Sequence, residues 1–137
     1  MVQQQVRIDT PAEIAGILRR LPSAFPEALA VLMKWRGLSS EALASAILSS
    51  RATITRLRSN PDYVTTLDTI VALCIGLHLP PTIYPILIQM AGHSFKASER
   101  HIAIQQLLPK AYYLGMDIYE FNDELSAYGY TPIGPGE

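Results

Sequence analysis

Residues 38–60, LSSEALASAILSSRATITRLRSN, decide the fold. They form two short helical patterns joined by a tight turn. Ser39 offers an N-cap hydroxyl with Glu41 at short range behind it, opening a helix through Leu43, Ala44 and Ile47. A second helix starts at Ser50 and runs to about Arg58, where Ser59-Asn60-Pro61-Asp62 carries turn chemistry. Ile54 and Leu57, three apart, belong on the buried side of this second helix. Arg51, Thr55 and Arg58 then lie on the opposite side, flanked by Ala52 and Arg56. Three arginines on so short a helix, with no acid among them, make a merely solvated face the weaker reading. Arginine can give two parallel hydrogen bonds to the major-groove edge of guanine. Alanine can lie against a thymine methyl, and threonine can serve a base edge or a phosphate. The helix N-terminus itself favours a phosphate.

On the N-terminal side, Thr10-Pro11-Ala12-Glu13 combines a cap hydroxyl, a proline at the first helical position and a glutamate three residues after the cap. The pattern predicts a helix to about Leu21 with Ile14, Ile17, Leu18 and Leu21 on one face. Pro22 stops it, Pro26 starts PEALAVLMKWRG, and Gly37 ends that helix. MVQQQVRID before Thr10 has no strong pattern and reads as a frayed or loosely docked end.

On the C-terminal side, Thr65 or Thr66 caps a fifth helix, with Asp68 available to the first-turn amides. A sixth runs from about Thr82 to Ala91, with Pro85 in its first turn. A seventh opens at Ser98, and Pro109 should kink or end it. Asp117 starts the last, which stops at Gly129 and leaves TPIGPGE as a tail. No segment alternates in the manner of a strand, so the chain is expected to be all-α.

A chain of 137 residues suits one ordinary domain, and net charge −1 excludes a globally basic nucleic-acid coat protein. The charge is nevertheless polarised. Residues 34–58 hold Lys34, Arg36, Arg51, Arg56 and Arg58 against the single acid Glu41, whereas residues 111–137 carry five acids and no base. One cysteine, Cys74, excludes an internal disulfide, and its apolar neighbours mark a buried structural thiol rather than a nucleophile. No charged-then-apolar leader opens the chain and no apolar run is long enough to cross a bilayer, so the chain is expected in the cytoplasm, away from membranes.

His78, His93 and His101 lack the spacing of a helical metal pair, so no metal or cofactor is expected. Asp117, Glu120, Asp123 and Glu124 share one short helix and read as a solvated acidic face rather than a catalytic pair across a cleft. No nucleophile, base and orienting group assemble, so no enzyme is expected. Trp35 reads as core or interface. Tyr112, Tyr113, Tyr119, Tyr128 and Tyr130, with Phe121, either pack back on the helices or form a dimer seam.

With these residues in view, LSSEALASAILSSRATITRL resembles the helix-turn-helix of the lambda-repressor-like, Cro/repressor (XRE-type) regulators. That family opens its first motif helix with a cap and a glutamate, packs it with a Leu-Ala pair, and builds the second on Ser-x-x-[ST]-[IV]-[ST]-x-[IL]. The positions here are Ser39, Glu41, Leu43 and Ala44, then Ser50, Thr53, Ile54, Thr55 and Leu57. The resemblance implies a five-helix DNA-binding domain over residues 26–92, preceded by an N-terminal helix and linker over 10–25. An acidic, Tyr-rich helical extension follows over 93–137. It puts base-reading positions on Arg51, Ala52, Thr55 and Arg56, and phosphate contacts on Ser40, Thr53, Arg58 and Asn60. Charge alone adds Arg36 and Lys34 to the phosphate set.

The chain departs from the family at the turn, where a left-handed glycine and an apolar plug are usual. Leu48 and Ser49 stand there instead, and Leu48 is expected to fill the plug's place by a local shift. The implied function is sequence-specific binding of double-stranded DNA by a bacterial or phage-type transcriptional regulator. It would act as a homodimer on a pseudo-palindrome, with the C-terminal helices as one possible seam. The alternative is a helix-turn-helix scaffold used as a protein-protein interaction module, with the acidic aromatic C-terminus as its surface.

Overall fold

Each helix start that the caps announce is present in the computed structural model, which describes residues 6–134 and has eight α-helices and no strand among them. Thr10 and Glu13 form a reciprocal capping box on α1 (Pro11–Arg20). Pro26 lies in the first turn of α2 (Phe25–Arg36), which Gly37 closes in the left-handed conformation at φ 68°. Ser39 caps α3 (Ser40–Ala46), Ser50 caps α4 (Arg51–Ser59) and Thr66 caps α5 (Leu67–Gly76), each through a side-chain oxygen that accepts an amide of the first turn. The remaining helices are α6 (Tyr84–Met90), α7 (Glu99–Leu114) and α8 (Ile118–Ala127).

α5 is the axis of the molecule. Its sequence LDTIVALCIG is apolar all round, and Thr69 to Ile75 are buried without a break. It packs on α3, α6, α7 and α8, while α2 covers α4 and α6. Gly76 lets α5 approach α3: a Cβ there would come 2.8 Å from Ile47 Cγ2 and 3.3 Å from Leu43 Cδ1. One cluster of buried side chains takes members from all parts of the chain, from Ile17 through Leu43, Ile54 and Leu73 to Phe121 and Ile133. Cys74 is inside it, and burial pushes its thiol well above the ordinary value, so it stays protonated and inert. No helix among the described residues is long and apolar enough to cross a membrane.

Local patterns misjudged several segments. Pro109 does not end its helix, because α7 continues through it to Leu114, with Gly115 as the left-handed cap (φ 65°). The amide it lacks would have bonded the carbonyl of Gln105, and Gln105 is an exposed residue that water can serve. The expected frayed N-terminus is anchored at Asp9, which is 5% exposed; residues 1–5 lie outside the described residues. Of the expected tail, the described part docks at Ile133, which is buried and exchanges two hydrogen bonds with Asn122, whose Oδ1 accepts at 2.7 Å and Nδ2 donates at 3.1 Å; residues 135–137 lie outside the described residues. Asp68 is not left to the amides of its own helix. Arg100 grips it with two hydrogen bonds at 2.8 and 3.1 Å. The acidic face of α8 is exposed at Asp117, Glu120 and Asp123, as its pattern suggests, although Asp117 and Glu120 also make a capping box and Glu124 pairs with Lys110.

Candidate nucleic-acid interface

The α3–turn–α4 unit is fixed from beneath. Leu43 and Ala44 of α3, its C-cap Ile47, and Thr53, Ile54 and Leu57 of α4 are buried. Ser50 starts α4 by accepting the Thr53 amide at 3.1 Å. Between the helices, the Ser49 amide donates to the Ala44 carbonyl at 2.9 Å, a helix-ending closure that needs one left-handed residue. That residue is Leu48, at φ 58°. Leu48 thus takes the glycine's conformation, at a cost on the order of 1–2 kcal/mol, and its side chain is partly buried against the core. Ser49 follows it, and its hydroxyl is buried with no hydrogen-bond partner. The helix pair is thus kept at its turn by backbone geometry, with strain in Leu48 and an unserved polar group in Ser49.

The outer side of α4 carries Arg51, Ala52, Thr55, Arg56 and Arg58, all exposed, and no acid. Each arginine meets a neighbour without being buried by it. Arg51 Nη1 is 3.5 Å from Glu41 Oε1 of α3, Arg58 Nη1 donates to Ser40 Oγ at 3.1 Å, and the Arg56 guanidinium lies over the Tyr63 ring at 5.8 Å from its centroid. Thr55 Oγ1 donates to the Arg51 carbonyl at 3.0 Å, which leaves its lone pairs able to accept. Asn60 Oδ1 accepts the Asp62 amide at 3.0 Å, and its amide nitrogen remains a donor beside the helix end. Lys34 is exposed in the last turn of α2.

Two of the residues expected at phosphates are placed otherwise. Thr53 is 1% exposed, and its hydroxyl lies 3.0 Å from that of Ser50, so it serves the cap. Arg36 is spent inside the protein. It donates to both oxygens of Asp9 at 2.9 and 2.8 Å and to the carbonyls of Leu77 and His78, and it lies 3.9 Å over the Trp35 ring. Tyr112 adds its hydroxyl to Asp9 at 2.8 Å, and His78 stacks on the Tyr112 ring. Burial pushes the Asp9 carboxyl up, but the Arg36 and Tyr112 hydrogen bonds and the positive field of Arg36 and His78 outweigh it. The group is held below its ordinary value of 3.8.

Neither Glu41 nor Tyr63 was singled out as an arginine partner by sequence. The available signals were that Glu41 is the only acid between Lys34 and Arg58 and that Tyr63 is an aromatic in the turn just past the basic helix.

No curated protein and no solved structure matches the chain. A family model does match, over residues 28–82, from α2 to just past α5, and its description is the Cro/C1-type HTH DNA-binding domain. DNA binding is what such a domain does, and the segment agrees with it in both helices of the motif and in the acid-free outer face of α4. Residues 28–82 of this chain match the Cro/C1-type helix-turn-helix DNA-binding domain, a likeness consistent with the lambda-repressor-like, XRE-type family.

Proposed function

We propose that the chain binds specific sites in double-stranded DNA by laying α4 in the major groove, and that it regulates transcription as a bacterial or phage-type regulator. One observation carries the reading: α4 buries Thr53, Ile54 and Leu57 while presenting Arg51, Ala52, Thr55 and Arg56 outward with no acid among them. Arg51 and Arg56 suit guanine edges, Ala52 a thymine methyl, and Thr55 either a base edge or a phosphate. Arg58, Ser40, Asn60 and Lys34 suit the phosphates that fix register. Thr53 and Arg36 act through the fold instead.

Two copies would bind half-sites about one helical turn apart. Tyr119 and Tyr128, 61% and 63% exposed on and after α8, supply amphipathic surface for the contact between them. The same surface supports the second reading, an interaction module, together with Tyr113 and Leu114 at the end of α7. Selection of bound duplexes from a random pool separates the two. The DNA reading expects a consensus with guanines at the arginine positions and two-fold symmetry. A pool that shows no enrichment would move the function to the interaction module.

A further inference from the structure

Arg51 is the first residue of α4, where the helix dipole disfavours a cation, and the first turn of α4 contains no acid to offset it. The compensating charge comes from the preceding helix. Glu41 reaches across the turn to within 3.5 Å of Arg51, although both side chains are about three-quarters exposed. A pair so exposed adds little to folding stability. Its effect is on where the guanidinium points and on which acceptors can approach it.

We propose that Glu41 is a specificity-determining residue, which holds one edge of the Arg51 guanidinium and directs the other to a guanine rather than to a phosphate. The inference rests on α4 being the base-reading helix. Guanidinium is a planar fork of five donors, so one edge can serve a carboxylate while the other still gives two parallel hydrogen bonds. Guanine O6 and N7 are neutral acceptors and tolerate a nearby carboxylate. A phosphate oxygen is an anion and is repelled by Glu41 at distances well inside the Debye length. Arg58 shows the contrast: its partner is the neutral Ser40 hydroxyl, so its charge stays available to the DNA backbone.

The test is Glu41→Gln in the full chain, measured by fluorescence anisotropy over a salt series. The specific probe is a duplex enriched from a random pool by the wild-type chain, and the non-specific probe is a scrambled duplex of the same length. Glu41→Gln should bind the scrambled duplex more tightly, with a salt slope steeper by about one phosphate contact. The specific-to-non-specific ratio should fall by about 5–10-fold, the low end of what one misread base pair costs. Replacing the enriched guanines with 7-deazaguanine, which lacks N7, should then cost the wild type more than the variant. An unchanged ratio, whether both affinities rise together or neither moves, overturns the role of Glu41 alone. A wild-type chain that enriches no duplex overturns the base-reading assignment itself, before any variant is made, and the role of Glu41 with it.

Discussion

Ser49 and Asp9 show how single residues set the cost and the gain of this fold. The Ser49 hydroxyl is buried beside a strained Leu48 and bonds to nothing, so Ser49→Ala removes an unserved polar group without disturbing the backbone closure. The variant should be more stable by about 1 kcal/mol, seen as a thermal midpoint a few degrees higher by circular dichroism; a lower midpoint would mean the hydroxyl has a partner in solution. Asp9 works in the opposite sense. Its side chain is fully buried and doubly bonded to Arg36, and its carboxyl is held below 3.8 in the folded chain. A carboxylate depressed on folding contributes stability that is present above its unfolded value. That contribution is lost as pH falls through the folded value. Stability should therefore decline on the acid side, below about pH 4. Asp9→Asn should flatten that decline and cost about 3 kcal/mol at neutral pH by leaving Arg36 without its counter-charge. Denaturant titrations of both proteins between pH 3 and 7 measure the two slopes.

The helices themselves were legible because their signals are local. Thr10, Ser39, Ser50, Thr66, Ser98 and Asp117 each cap the helix that follows, and Ile54 and Leu57 are buried as their spacing requires. Pro109 does not end α7, because a proline's cost depends on whether the carbonyl it orphans can reach water, which a one-dimensional pattern does not record. The turn departs from the usual glycine: Leu48 takes the left-handed conformation beside the buried Ile47 and packs on the core. Close approach between elements was equally hidden. Gly76 looks like an ordinary helix end, yet a methyl group on it would press against Ile47 at the foot of α3. Gly76→Ala should destabilise the fold by about 1–3 kcal/mol through overpacking. Because α3 sets the seat of α4, it should also weaken DNA binding. A thermal midpoint equal to that of the wild type would show that α3 and α5 are less tightly packed than described.

At the scale of the molecule, what the sequence concealed is long-range pairing. Asp9 with Tyr112, Arg36 with the end of α5, and Arg100 with Asp68 join segments tens of residues apart, and no periodicity announces such partners. Arg36 illustrates the consequence, since charge alone put it at a phosphate while its guanidinium closes the core. The candidate interface was more legible than these, because Arg51, Ala52, Thr55 and Arg56 are placed by the same helical period that buries Ile54 and Leu57. With a net charge of −1, the chain has no global field to draw it to DNA, so affinity must come from contacts made by α4 and its surroundings. The most direct measurement is the salt-dependent affinity of the wild type and of an Arg51→Ala, Arg56→Ala double variant for a pool-selected duplex. The wild type should weaken linearly on logarithmic axes as salt rises. The double variant, losing two guanine contacts of about 1–3 kcal/mol each, should bind about 30-fold or more weakly and lose preference for the selected guanines. Equal affinity and an unchanged consensus in the double variant would contradict the assignment of α4 as the DNA-reading helix.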